Sequence, residues 1–198
     1  FSWHAALHEL ALDDGDAVRR RYVEQLAPPG VAGPRALVDS ASLLWRSRLA
    51  GAWTEELPID AVLLTVPSCL LDHPATAFAA MHAVVALAAA GDVEAIGRLR
   101  AFAADYPDPT YVELIVPLCD GFAAQVRGEP AVAAERLAVV VSDASRLGGS
   151  AAQREVIAET MVHALVESGQ HHAARRFLER RLDRRPRPSD QRRLAALP

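Results

Sequence analysis

Apolar residues recur along this chain with the period of a helix rather than of a strand. Phe78, Met81, His82, Val85 and Ala89 lie at i, i+3, i+4, i+7 and i+11. Tyr111, Leu114, Ile115, Leu118 and Phe122 repeat the pattern, and Ile157, Thr160, Met161, Ala164 and Leu165 do so again. Each set forms one stripe on a helix. The one stretch with strand character, "AVLLTV" at 61–66, sits between helical segments and reads as helix. Pro117 falls inside a helical pattern, so it either opens a helix or kinks one. The Pro- and Gly-rich segments 27–36 and 105–110 read as connecting loops.

Glycines punctuate these stripes at Gly15, Gly51, Gly91, Gly128 and Gly169, an interval of roughly 36 to 41 residues. Helical residues precede each glycine and a second helical pattern follows. A glycine can take the left-handed conformation that ends a helix and lets the chain reverse. A helix–turn–helix unit at this interval predicts an all-α fold: a tetratricopeptide-like α/α superhelix, a right-handed solenoid of antiparallel helix pairs. The alternative is an ordinary antiparallel bundle with glycine caps. The chain reads as one helical-repeat domain over 1–198, with an Arg/Pro-rich end at 186–198. It opens inside a helical pattern with Phe1 and Trp3, as a piece of a longer protein does. A solenoid cut there exposes apolar surface, which predicts self-association.

The stretch "LGGSAAQR" at 147–154 interrupts the helices with a local logic of its own. Gly148 and Gly149 stop one helix. Ser150 caps the next, and Gln153 completes a Ser-x-x-Gln capping box. Arg154 lies at the edge of the apolar stripe and is predicted to be partly buried, tying successive repeats together near His82. Its candidate partners are Asp39 and Asp120.

This stretch also resembles a segment of the tetratricopeptide repeat protein 38 family, and the resemblance runs through the chain in order. "SWHAALHEL", "LVDSASLLWRSRLAG", "AFAAMHAVVAL" and "VPLCDGFAAQVRGE" are similar to successive helices of that family. The resemblance implies a tetratricopeptide-like superhelix corresponding to about the C-terminal half of a family member. Ala80 and Ala151 stand where the family commonly carries polar residues. The resemblance therefore implies a fold and little about a reaction.

Composition narrows the function. With 51% hydrophobic residues and mean hydropathy near zero, the chain can bury a core. A net charge of −4 argues against nucleic acid as a partner. No apolar run is long enough for a membrane span. All 21 basic residues are arginine, and nine of them, from Arg175 to Arg193, crowd the C-terminus, which reads as a solvated last helix with a tail or, alternatively, an anion-binding patch. Cys69 and Cys119 lie far apart and are expected as buried free thiols, which suits a cytoplasmic protein. No nucleophile elbow, phosphate loop, dinucleotide fingerprint or zinc motif occurs, so no catalytic residue, cofactor or metal is assigned and the reading leans away from an enzyme.

The candidate binding residues form a proposed inner-face polar cluster: His4, Asp39, Arg46, His82, Gln153 and Arg154. Asp39, Ser42 and Arg46 share a helix face, Asp39 being placed to cap the helix and Arg46 to pair with a neighbouring carboxylate. His4 and His8 are spaced i, i+4 but have no third metal ligand in sequence. His82 on its apolar stripe is expected either to hydrogen-bond a carbonyl or carboxylate, or to face a cavity with shifted protonation. His171 and His172 read as exposed. Trp3, Trp45 and Trp53 read as helix-packing residues, with a concave aromatic contact as the alternative.

Three functions follow. The first is an interaction scaffold for a protein, a peptide or the rest of a longer chain. The second is a helical-repeat pocket that binds or transforms a small molecule. The third is the sensory domain of a transcriptional regulator. An open groove favours the first; a polar pocket favours the second.

Overall fold

The chain is helical throughout and holds no strand in the computed structural model, which describes residues 1–198. The helices are α1 (Ser2–Ala11), α2 (Gly15–Arg21), α3 (Gly33–Arg35), α4 (Ser42–Leu49), α5 (Ile59–Leu63), α6 (Ser68–Asp72) and α7 (Ala77–Ala90). There follow α8 (Val93–Ala104), α9 (Val116–Val126), α10 (Pro130–Asp143), α11 (Ala151–Glu167), α12 (His171–Arg184) and α13 (Pro188–Ala195).

Four of the five spaced glycines end a helix as the pattern predicts: Gly51, Gly91, Gly128 and Gly169 have φ of 70°, 73°, 73° and 71°. Gly15 does not. The left-handed residue at that turn is Asp13, with φ of 69°; a short polar side chain tolerates this region better than most. Gly15 instead opens α2 where the backbone comes close to Ala52, whose carbonyl oxygen would stand 3.3 Å from an added Cβ. Side-chain caps start the helices: Asp14 accepts from the Ala17 amide, Thr76 from Ala79, Asp92 from Ala95 and Ser150 from Gln153. Both halves of the Ser150–Gln153 box are present, and Gly148 and Gly149 have φ of 81° and 67°.

Three helices are entered or left through π-helical turns: Tyr22–Leu26 after α2, Ala36–Ala41 before α4 and Tyr111–Ile115 before α9. Pro117 lies inside a continuous helical run, at the second residue of α9 and directly after the π-helical turn Tyr111–Ile115, whose widened turn accompanies the missing proline N–H. Segment 61–66 contributes to the short helix α5 and its following turn.

From α7 onward each helix packs on the next, and α7 also packs on α9. Helix α4 packs on α1, α7 and α11, bringing distant parts of the chain together. Trp45 of α4 donates its indole N–H to the Thr160 hydroxyl of α11 at 2.9 Å, and its ring packs at a tilt of 42° against Phe122 of α9, 5.6 Å away. The inner faces of α4, α7, α9 and α11 are thus filled by side chains. The two ends of the chain also meet: Arg192 of α13 donates to the Ala11 carbonyl at 2.9 Å. Of the apolar residues at the beginning, Trp3 and Ala6 are buried, while Phe1 and Leu12 are exposed.

Both cysteines are free thiols, but only Cys119 is buried; Cys69 is exposed. Burial pushes the Cys119 thiol up to about 12. His171 is half-buried, contrary to its predicted exposure, whereas His172 is exposed.

Candidate functional site

Arg46 organises the polar chemistry of the molecule. Its position one turn from the end of α4 directs it toward the start of α11, and only 3% of the residue is exposed. Its Nη2 donates to the carbonyl of Ala152 at 2.7 Å and of Gln153 at 3.3 Å, while Nη1 lies 3.2 Å from Oε2 of Glu159. The guanidinium stands 5.9 Å from the centre of the Trp3 ring. Burial lowers its pKa, opposed by the charges of Glu159 and Glu155. A guanidinium stays charged regardless, so the fold must supply its counter-charge.

That counter-charge comes from an ion network across four elements. Glu155 and Glu159 are one turn apart on α11, where two carboxylates would repel if left alone. Arg181 of α12 binds Glu155 and also Asp190 of α13, at 2.8 Å. Arg187, just before α13, lies 3.1 Å from Glu155 and 3.8 Å from Glu159. Asp190 is buried to 1% exposure. Burial acts to lower the pKa of Arg181, but Glu155, Asp190 and Glu159 outweigh it and hold the pKa above its ordinary value.

Above this network lies a cleft of about 390 Å³. One wall is α1, through His4, Leu7, His8, Leu10 and Ala11. The floor carries Arg46, Ala50, Ala152, Glu155 and Glu159; the other wall is the segment 185–189 with Arg193. The Nε of Arg46 and the indole nitrogen of Trp3 are buried donors with no acceptor. His4 and His8 share the cleft, and no group of three metal-ligating side chains is assembled anywhere in the chain.

The proposed six-residue cluster therefore divides. His4 and Arg46 meet in the cleft. Gln153 supplies only its backbone carbonyl there, because its side chain closes the capping box. Asp39 is not a helix cap, because the helical run already begins at Gly33, within the segment 27–36 that reads as a loop, and continues unbroken into α4. It lies within the π-helical turn 36–41, whose extra residue shifts the phase of the helix face, and it pairs with Arg35 at 3.4 Å. Arg154 does not tie repeats together and meets neither Asp39 nor Asp120. It folds back onto its own turn, donating to the carbonyls of Gly148, at 2.8 Å, and Gly149. Asp120 pairs with Arg100 at 2.6 Å.

His82 is wholly buried on α7 and makes neither of the hydrogen bonds expected of it: both ring nitrogens lack a partner. Its ring stands edge-to-face with Phe78 at 4.7 Å. Phe78 in turn covers Gly149, where an added Cβ would stand 2.4 Å from the Phe78 ring. Burial, aided by the charge of Arg46, lowers the His82 pKa to about 3, so it is neutral at physiological pH.

Sequence reasoning passed over Glu155, Glu159, Arg181, Arg187 and Asp190. The signal was the Glu-x-x-x-Glu spacing on the flank of the α11 stripe, together with an arginine-rich end that does not remain a solvated tail. No protein-family model matches the chain, and no solved structure matches it.

Proposed function

We propose that the chain is a tetratricopeptide-like α/α superhelix that binds a small molecule in the cleft between α1, α4, α11 and the segment leading to α13. The observation that carries this reading is the buried guanidinium of Arg46 on the floor of a polar cleft whose walls come from the two ends of the chain. Its volume of about 390 Å³ falls in the range of small-ligand sites. The repeated helix pairs and their left-handed glycine turns support the superhelical description. A peptide scaffold needs an open concave face. Here α4 packs on α11, with Trp45, Phe122 and Thr160 between the inner helices, which favours the cleft over a groove.

Ligand-observed NMR with a library of polar fragments tests this, using the full chain and an Ala11→Trp variant whose indole fills the cleft. Fragments that bind the parent and not the variant support the proposal. A library with no hits, or hits that survive Ala11→Trp, overturns it.

A further inference from the structure

We infer that the cleft selects a small amphipathic organic anion, with its carboxylate or phosphate group held between Arg185 and Arg193. The inference rests on the small-molecule reading of the same cleft. It comes from the balance of charge on the walls. The lining carries four arginines and two glutamates. The glutamates are already satisfied: Glu159 by Arg46, and Glu155 by Arg187 and Arg181. The guanidinium groups of Arg185 and Arg193 have no carboxylate within 4 Å and make no hydrogen bond; Arg185 bonds only through its backbone N–H, to the Arg181 carbonyl. Two uncompensated guanidinium groups lining one cavity leave it positive, although the whole chain carries a net charge of −4. A cleft focuses such a field and raises the local concentration of anions. The planar guanidinium fork matches both carboxylate and phosphate oxygens.

The rest of the cleft defines the other end of the ligand. Leu7, Leu10 and Ala11 of α1 face Ala50 and Ala152 across the cavity and offer a short apolar surface. A cation is disfavoured by the unpaired arginines of the lining. A bare inorganic ion leaves the apolar wall unused. The two buried donors without acceptors, Arg46 Nε and Trp3 Nε1, put further positive hydrogen-bonding potential behind the floor.

Calorimetric titration of the full chain with three probes of matched shape tests the inference: hexanoate, hexanamide and hexylamine. Hexyl phosphate and inorganic phosphate form a second arm, distinguishing a carboxylate from a phosphate headgroup and an organic anion from a bare ion. Hexanoate or hexyl phosphate should bind about tenfold or more tightly than hexanamide, with affinity falling as salt rises. The double variant Arg185→Gln/Arg193→Gln should abolish that preference, and Arg185→Lys/Arg193→Lys should restore part of it. Equal or tighter binding of hexanamide or hexylamine, blocked by Ala11→Trp, overturns the anion class while leaving the cleft intact as a site. Inorganic phosphate binding as tightly as hexyl phosphate overturns the amphipathic part. Binding that survives Ala11→Trp removes the cleft reading itself.

Discussion

Arg46 and His82 are both buried basic side chains, on helices α4 and α7 that pack together, yet the fold treats them in opposite ways. Arg46 cannot shed its proton, and α11 brings it two carbonyls and a carboxylate. His82 receives no acceptor, and it is held neutral by burial and by the charge of Arg46. The interior tolerates a charge only where a second helix presents its polar edge. Elsewhere it removes the charge. That difference separates a residue built into the polar cleft from one built into packing, although the sequence offers both as members of one cluster.

The largest effect expected from breaking this comparison is at Arg46. Arg46→Ala leaves Glu159 with only Arg187, at 3.8 Å, removes the cross-helix donor to the carbonyls of Ala152 and Gln153, and opens space under Trp3. The loss should be roughly 3–5 kcal/mol, as when one partner of a buried pair is removed. Arg46→Met keeps most of the volume and should cost distinctly less. Urea unfolding at neutral pH measures both. Equal losses in the two variants would mean that charge pairing, and not packing, is what Arg46 contributes.

His82 should show itself in the pH dependence of stability. Its folded pKa is about 3 against an unfolded value near 6.5. Between these values the unfolded chain binds the proton and the folded chain does not, so stability falls as pH falls. The full contribution is present above about pH 6.5, and the loss is complete below about pH 3. From pH 7 to pH 5 it amounts to roughly 2 kcal/mol. His82→Leu should remove that part of the slope and cost little at pH 7, since no hydrogen bond is lost. His163, which burial also lowers, acts in the same direction and is left unchanged by the variant. Unfolding curves at the two pH values decide the matter: an unaltered slope in His82→Leu rules out a neutral buried imidazole.

A smaller effect is expected at Ser150, because the carbonyls that Arg46 uses lie in the helical turn that Ser150 caps. Ser150→Ala removes the side-chain acceptor for the Gln153 amide and should cost about 1 kcal/mol. In an Arg46→Met background the cost should shrink, since that turn no longer has to hold a guanidinium. Additive costs in a double-mutant cycle would show that the cap and the buried charge are independent.

What the sequence made legible here is local. The stripes around Met81, Leu118 and Met161 specify helices because their periodicity is set within a few turns. The glycine turns and the Ser150–Gln153 box depend on neighbours along the chain. Asp39 is not a cap for an equally local reason: the helix already begins at Gly33, in a Pro- and Gly-rich segment whose composition reads as a loop. The ion network was illegible for the opposite reason. Arg46 and Glu159 are separated by 113 residues, and only packing selects one glutamate among many. His4 and Arg46 could be named as polar residues on helix faces. That they share a cleft follows from α13 returning to α1, which the arginine-rich composition of the last segment hides.

Arg154 gives the smallest expected effect and the sharpest contrast with Arg46. Both guanidinium groups bind pairs of backbone carbonyls next to each other in sequence, Gly148 and Gly149 for one, Ala152 and Gln153 for the other. Arg46 reaches its pair from another helix and in full burial. Arg154 reaches its pair from the same turn and stays partly open to water, so water can replace it. Arg154→Met should therefore cost only about 0.5–1 kcal/mol, below the usual worth of a charge-assisted bond. Since Arg154 does not line the cleft, binding of hexanoate should be unchanged. Chemical denaturation and the titration described above measure the two quantities on the same sample. A loss comparable with that of Arg46→Ala, or a change in ligand affinity, would place Arg154 in the structural role that its sequence position first suggested and that its side chain does not take.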